Sequence, residues 1–218
     1  MKIKLNRTLA LITATAALGS LVGCSTTGYK QADKTGEGIA SFREEIVNGK
    51  KAIDQTVAAL SKVEAAATTD PRKAFEEYKK SVSNLESAAD KVRKSSQDMQ
   101  ARGKAYFDEW EQQLAQVKNP EIQQLAKERK AKLTEVFASI KTYAEPLKAQ
   151  FNPWMSDLKD LQTYLNNDLT INGVDAAKSL IKKTQDEGLA VQKSMDALIA
   201  ELNTVAATIT PAKAAEKK

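Results

Sequence analysis

The sequence predicts an all-α protein, an elongated antiparallel helical bundle of about four long helices with coiled-coil-like heptads. Three observations predict it. No segment alternates apolar and polar residues over the length of a strand. Nearly every segment between residues 39 and 209 repeats its apolar residues at three- and four-residue intervals instead. The breaks at Asp70-Pro71 and Asn119-Pro120 carry helix-start chemistry, a capping side chain followed by proline.

The first run places Ile39, Phe42, Ile46, Ile53, Leu60 and Val63 on one stripe, with Gly49 and Thr56 at intervening seam positions, and ends near Ala67. Asp70 is then the expected N-cap and Pro71 the first helical residue. The second run is a sustained heptad: Phe75, Tyr78, Val82, Leu85, Ala89, Val92, Ser96, Met99, Gly103, Tyr106, Trp110, Gln113 and Val117 alternate three-four without a slip. From Pro71 to Lys118 such a helix is about 70 Å long at ~1.5 Å per residue, so the molecule is expected to be elongated.

Asn119 and Pro120 open the third run, which carries Ile122, Leu125, Leu133, Val136, Ile140, Tyr143, Leu147, Phe151, Trp154, Leu158, Leu161 and Leu165. Pro146 lies inside it and Asn152-Pro153 resembles another start, so a kink or restart is expected there. Residues 166–174 cluster Asn, Asp and Gly and read as a loop. The last run takes Ala177, Leu180, Thr184, Gly188, Val191, Met195, Leu198, Leu202, Val205 and Ile209, and Pro211 ends it. The second and third runs are similar in length and suit an antiparallel hairpin, with the first and last helices packed along it up-down-up-down. In the alternative, the chain runs straight through Pro120 and the coiled coil forms by self-association between chains.

The chemistry of the side chains excludes more than it assigns. Histidine is absent, which removes the commonest general base and metal ligand, and cysteine occurs once. No Gly-rich phosphate loop or nucleophile elbow is present. The expectation is therefore no enzyme, no metal and no cofactor. Basic pairs such as Lys50-Lys51 and Lys182-Lys183 are interspersed with Asp and Glu. They read as solvated helix faces rather than a nucleic-acid surface.

Residues 1–23 begin with Lys2, Lys4 and Arg7 and then carry no charge from Thr8 to Gly23. That run falls short of the roughly 20 residues a spanning helix needs, and it has the form of an export signal. It ends in Leu21-Val22-Gly23-Cys24, which resembles the lipobox of bacterial lipoproteins. The resemblance implies cleavage before Cys24, a diacylglyceryl group on its thiol and an N-acyl chain. Ser25 stands where Asp would favour inner-membrane retention, and so implies the outer membrane, periplasmic face, of a Gram-negative cell. Removing the three basic residues of the signal leaves 30 basic against 28 acidic residues, a net charge of +2.

The expected domains are therefore signal 1–23, a small, polar tether 24–38, bundle 39–209 and tail 210–218. The body, with capped breaks such as "DPRKAF" and "NPEIQQLAKERKAKL", resembles uncharacterised families of helical bacterial lipoproteins. The terminal Lys218 is similar in position to the lysine that joins the major murein lipoprotein to peptidoglycan, a likeness of general plan only.

Two features suggest how such a protein would act. The seam column Ala89, Ser96, Gly103 is small over three layers. Close packing against a facing helix is the simpler expectation, and a groove for another helix the alternative. The aromatics near the breaks are expected to fill the ends of the bundle core; in the alternative, Phe107, Trp110 and Trp154 form a candidate partner surface, Phe107 falling off the seam. The leading expectation is a lipid-anchored structural or interaction protein: a spacer, adaptor or envelope tether with a protein or peptidoglycan partner. The rival is a periplasmic binding module or chaperone for a lipid or other apolar ligand, for which a continuous apolar lumen would speak.

Overall fold

The computed structural model describes residues 28–210; Cys24, Ser25, Lys218 and the signal at 1–23 lie outside them. Helix α1 runs Gly28–Ala66, α2 Arg72–Leu114, α3 Pro120–Asn167, a short α4 Ile171–Ala176 and α5 Lys178–Ile209. No strand occurs among the described residues. The four long helices form an up-down-up-down bundle, each antiparallel to the next. Thr35 and Thr56 of α1 reach the carbonyls of Arg102 and Ser81, and Lys50 and Asp54 of α1 meet Asp196 and Gln192 of α5. Helices of 43 and 48 residues are about 65 and 72 Å long, and the bundle is elongated as expected.

The predicted stripe of α1 is buried throughout: Ile39, Phe42, Ile46, Ile53, Leu60 and Val63 are at most 2% exposed. Residues 28–38, expected as tether, are instead the first three turns of α1. Tertiary contact overrides their weak helix preference. Thr35 is fully buried against α2, and a side chain at Gly38 would stand 3.4 Å from the Met99 backbone. The missing side chain at Gly38 lets α1 and α2 approach closely, whereas a Cβ at Gly49 would meet Met195 of α5 at 3.3 Å.

The break chemistry holds with shifts of a residue. Asn119 Oδ1 accepts from the N–H groups of Glu121 (2.9 Å) and Ile122 (3.2 Å), and Pro120 opens α3. At the other break α2 starts at Arg72, with Pro71 rather than Asp70 at the cap position. Asp70 still accepts from the Arg72 backbone, and its side-chain bond to the Arg72 guanidinium holds its carboxyl below the usual range. Pro146 and Pro153 sit within one continuous α3, without a restart. The loop expected at 166–174 contains a capped short helix. Thr170 Oγ1 accepts from Gly173 N–H, and a side chain on Gly173 would stand 2.4 Å from the Asp168 carboxyl, so that approach requires glycine.

The pairing of helices differs in one respect from the expected hairpin. The closest pairs are α1 with α2 and α3 with α5, while α2 and α3 touch mainly towards the two ends of their shared length. Near the α4 end the Tyr78 hydroxyl donates to the Leu158 carbonyl at 2.7 Å in the buried core. Towards the other end the Phe137 ring lies on the bare backbone of Gly103, where a Cβ would meet it at 2.2 Å. These contacts fold α3 back along α2 within one chain, so the chain turns before Pro120.

Candidate functional site: a cleft between the second and third helices

Between these two clamps α2 and α3 stand apart. On α2 the heptad positions Phe75, Tyr78, Val82 and Leu85 are buried, as are Met99, Gly103 and Tyr106. The intervening Ala89, Val92 and Ser96 are only half-buried. They face Ala138, Ala144 and Phe151 of α3 across a cleft of about 690 Å³, which falls within the ~300–1,000 Å³ range of small-ligand sites. Small side chains on both walls leave this volume unfilled. The small-residue column thus makes a groove at Ala89 and Ser96, against the simpler expectation of close packing. Only its last member, Gly103, packs tightly.

All four long helices contribute to the cleft. Phe42 and Gly49 of α1, Leu85 and Met99 of α2, Ile140 and Leu147 of α3, and Met195 and Leu198 of α5 give it an apolar lining. The methionines are flexible and polarisable, which suits a surface that adapts to an apolar guest. The rim is polar and mixed: Arg93, Gln97 and Gln100 on one side, Lys141, Glu145, Lys148 and Asn152 on the other. Arg93 is engaged by Asp90 at 2.7 Å, whereas Lys141 and Lys148 make no ion pair among the described residues. The rim therefore has cationic groups available beside an apolar floor.

The aromatic candidates occupy other places. Trp154 is 1% exposed and is no surface residue. Its indole donates to the Thr184 carbonyl at 2.7 Å, and its ring stacks edgewise on Phe151. It fills the α3–α5 seam because Gly188 opposite has no side chain; a Cβ there would lie 3.0 Å from the ring. Phe107 is half-buried, packed on Tyr106 and Phe137 beside the Gly103–Phe137 contact. Trp110 is half-buried against Tyr106 and borders a smaller hollow at the end of the bundle where α1 begins. These three residues do not form one surface.

Charge chemistry gives no second site. Burial pushes the Tyr78 phenol far above its ordinary range. Tyr106 is also raised by burial, with Arg129 opposing. Lys183 is raised by hydrogen bonds to Asp157 and Glu187 at the surface. Among the described residues no cluster of acidic residues could hold a metal ion, and no helix is long and apolar enough to cross a membrane.

Fold and cleft together define an all-α, up-down-up-down bundle with a lateral apolar cleft. The chain belongs to the family described as protein of unknown function (DUF2959), whose match covers residues 24–209. No match is found among curated proteins or among solved structures.

Proposed function

We propose that the protein is a lipid-anchored envelope bundle that takes an apolar or amphiphilic ligand in the α2–α3 cleft. The observation that carries this reading is the unfilled, apolar-lined volume of about 690 Å³, to which all four long helices contribute. The available Lys141 and Lys148 beside it suit a ligand with an anionic or strongly polar head and an apolar body. The anchor rests on Leu21-Val22-Gly23-Cys24, and the family match beginning at Cys24 fits a mature chain starting there. Ser25 fits the outer membrane, periplasmic face, and the ligand would be held or passed on without chemistry.

Protein stripped from membranes and freed of bulk lipid tests the reading. Extraction and mass spectrometry are expected to recover a co-purifying amphiphile, and a fluorescent naphthylamine probe is expected to bind the emptied protein. A clean protein that leaves the probe unbound refutes it.

The length of α2 and α3 favours a second role, that of spacer or adaptor. A rod of about 70 Å fixed at one end carries its far end well away from the membrane. Cross-linking in intact cells would reveal one stoichiometric protein partner in that case, or murein fragments if Lys218 were joined to peptidoglycan.

A further inference from the structure

The end of the bundle where α1 begins exposes large apolar side chains, as the α4 end does at Tyr164, Ile171 and Leu180; what sets it apart is its nearness to Cys24. Tyr29 of α1 and Ile122 and Leu125 of α3 are 59, 51 and 68% exposed. The heptad pattern assigns Ile122 and Leu125 to the core, yet no neighbouring helix covers them. All three belong to one end: Tyr29 borders the same hollow as Trp110, Val117 and Ala126, beside the first turns of α3. The last turn of α5 closes that end, Thr208 accepting from Arg129 and Thr210 lying against Gly36.

The chain itself says what lies next to this end. Cys24 precedes Gly28 by four residues, a stretch that reaches at most about 14 Å even fully extended. A diacylglyceryl group on Cys24 therefore holds the membrane within that distance of Gly28, one residue before Tyr29. Tyrosine is favoured at membrane–water boundaries because its ring is apolar and its hydroxyl wet, and isoleucine and leucine beside it bury readily in the same zone. Lys30, Lys118, Lys127 and Arg129 outnumber Glu121 and Glu128 near the patch, so a modest attraction to anionic headgroups adds to that of the apolar boundary.

We propose that Tyr29, Ile122 and Leu125 seat this end of the bundle in the lipid–water boundary of the membrane that holds Cys24, so that the bundle stands off the surface with α4 at its far end. The proposal rests on the anchor reading. It supplies a second attachment beside the acyl chains and sets the orientation of the cleft, which then opens sideways above the membrane.

The test uses the full acylated chain in phosphatidylethanolamine–phosphatidylglycerol vesicles. Leu125→Cys and, at the far end, Ile171→Cys are each labelled with an environment-sensitive maleimide dye after Cys24 has been acylated. Nitroxide-bearing lipids are expected to quench the dye at 125 several-fold more than the dye at 171, at high salt as well as at low. An acylated chain that floats with vesicles but leaves both dyes equally unquenched overturns this proposal alone. Equal quenching at both positions overturns it in favour of a bundle lying flat. A dye at 125 that is shielded from water but not quenched by the lipids overturns it in favour of a second copy at this end. A chain without lipid on Cys24 that fails to float overturns the anchor reading and this proposal with it.

Discussion

Replacing Ala89 by leucine distinguishes an open cleft from a closed seam. Ala89 is half-buried on α2, facing the unfilled volume of about 690 Å³. Leucine adds three carbons, worth up to about 2.4 kcal/mol if all are buried at ~0.8 kcal/mol per methylene. A cleft open on one side buries roughly half of that, and fixing the side chain costs about 0.5–1 kcal/mol. Helix propensity is nearly neutral in the exchange. The expected result is a gain of about 0.2–0.7 kcal/mol, an upward shift in melting temperature of roughly one to three degrees for a chain of this size. Probe binding in the cleft is expected to weaken because the added side chain occupies it. Ala59, 6% exposed in the packed core, is the internal control. Leucine there has nowhere to go, and overpacking is expected to cost about 1–3 kcal/mol. Thermal unfolding followed by circular dichroism, with a probe titration on each variant, measures both quantities. If Ala89→Leu destabilises as much as Ala59→Leu, the cleft is not open in solution. If it leaves probe affinity unchanged, the ligand binds elsewhere.

Three further outcomes follow from named contacts. Tyr78→Phe removes the buried hydroxyl bond to Leu158 and is expected to cost about 1 kcal/mol near neutral pH by urea unfolding. Burial raises the folded phenol's pKa, so the unfolded chain ionises first, and the wild type's advantage is present below about pH 10 and shrinks as pH rises further. A gap between the two proteins that widens above that pH refutes this assignment. Trp154→Ala empties the α3–α5 seam and is expected to cost about 3–5 kcal/mol in the same assay, where a loss below about 1 kcal/mol would mean that the site collapses freely. Cys24→Ser is expected to move the protein from the membrane to the soluble fraction on cell fractionation, with an unchanged circular dichroism spectrum; persistence in the membrane fraction would exclude the thiol as the anchor.

What could be read from the chain was local. Asn119 and Pro120 announce a helix start through bonds between residues two and three apart, and the structure makes those bonds. The heptads identify which face of each helix turns inward. The first turns of α1 were illegible because Gly36 and Gly38 each cost about 1 kcal/mol in an isolated helix, and only the approach of Thr210 and Met99 makes their missing side chains useful. Trp154 falls on the apolar repeat of α3 directly after Pro153, whereas what lets it fill the seam is Gly188 in a distant segment. The small column at Ala89 and Ser96 was visible, but its outcome was not. Whether a facing helix closes on small residues depends on where that helix is held. Here Tyr78–Leu158 and Gly103–Phe137 hold it at either side, and neither pairing has a local signature.

The two prolines inside α3 give the cleft walls unequal stiffness. Pro146 and Pro153 have no N–H, so the carbonyls of Thr142 and Ala149 lose their ordinary partners four residues on. Both missing rungs fall in the stretch from Lys141 to Asn152 that forms one side of the cleft. The opposite side, from Leu85 to Gln100, has no proline and is backed by the tightly apposed α1. The wall on α3 thus lacks two backbone hydrogen bonds that the wall on α2 keeps, and in the proposed binding role it is the side where a wider guest would find the easier bend.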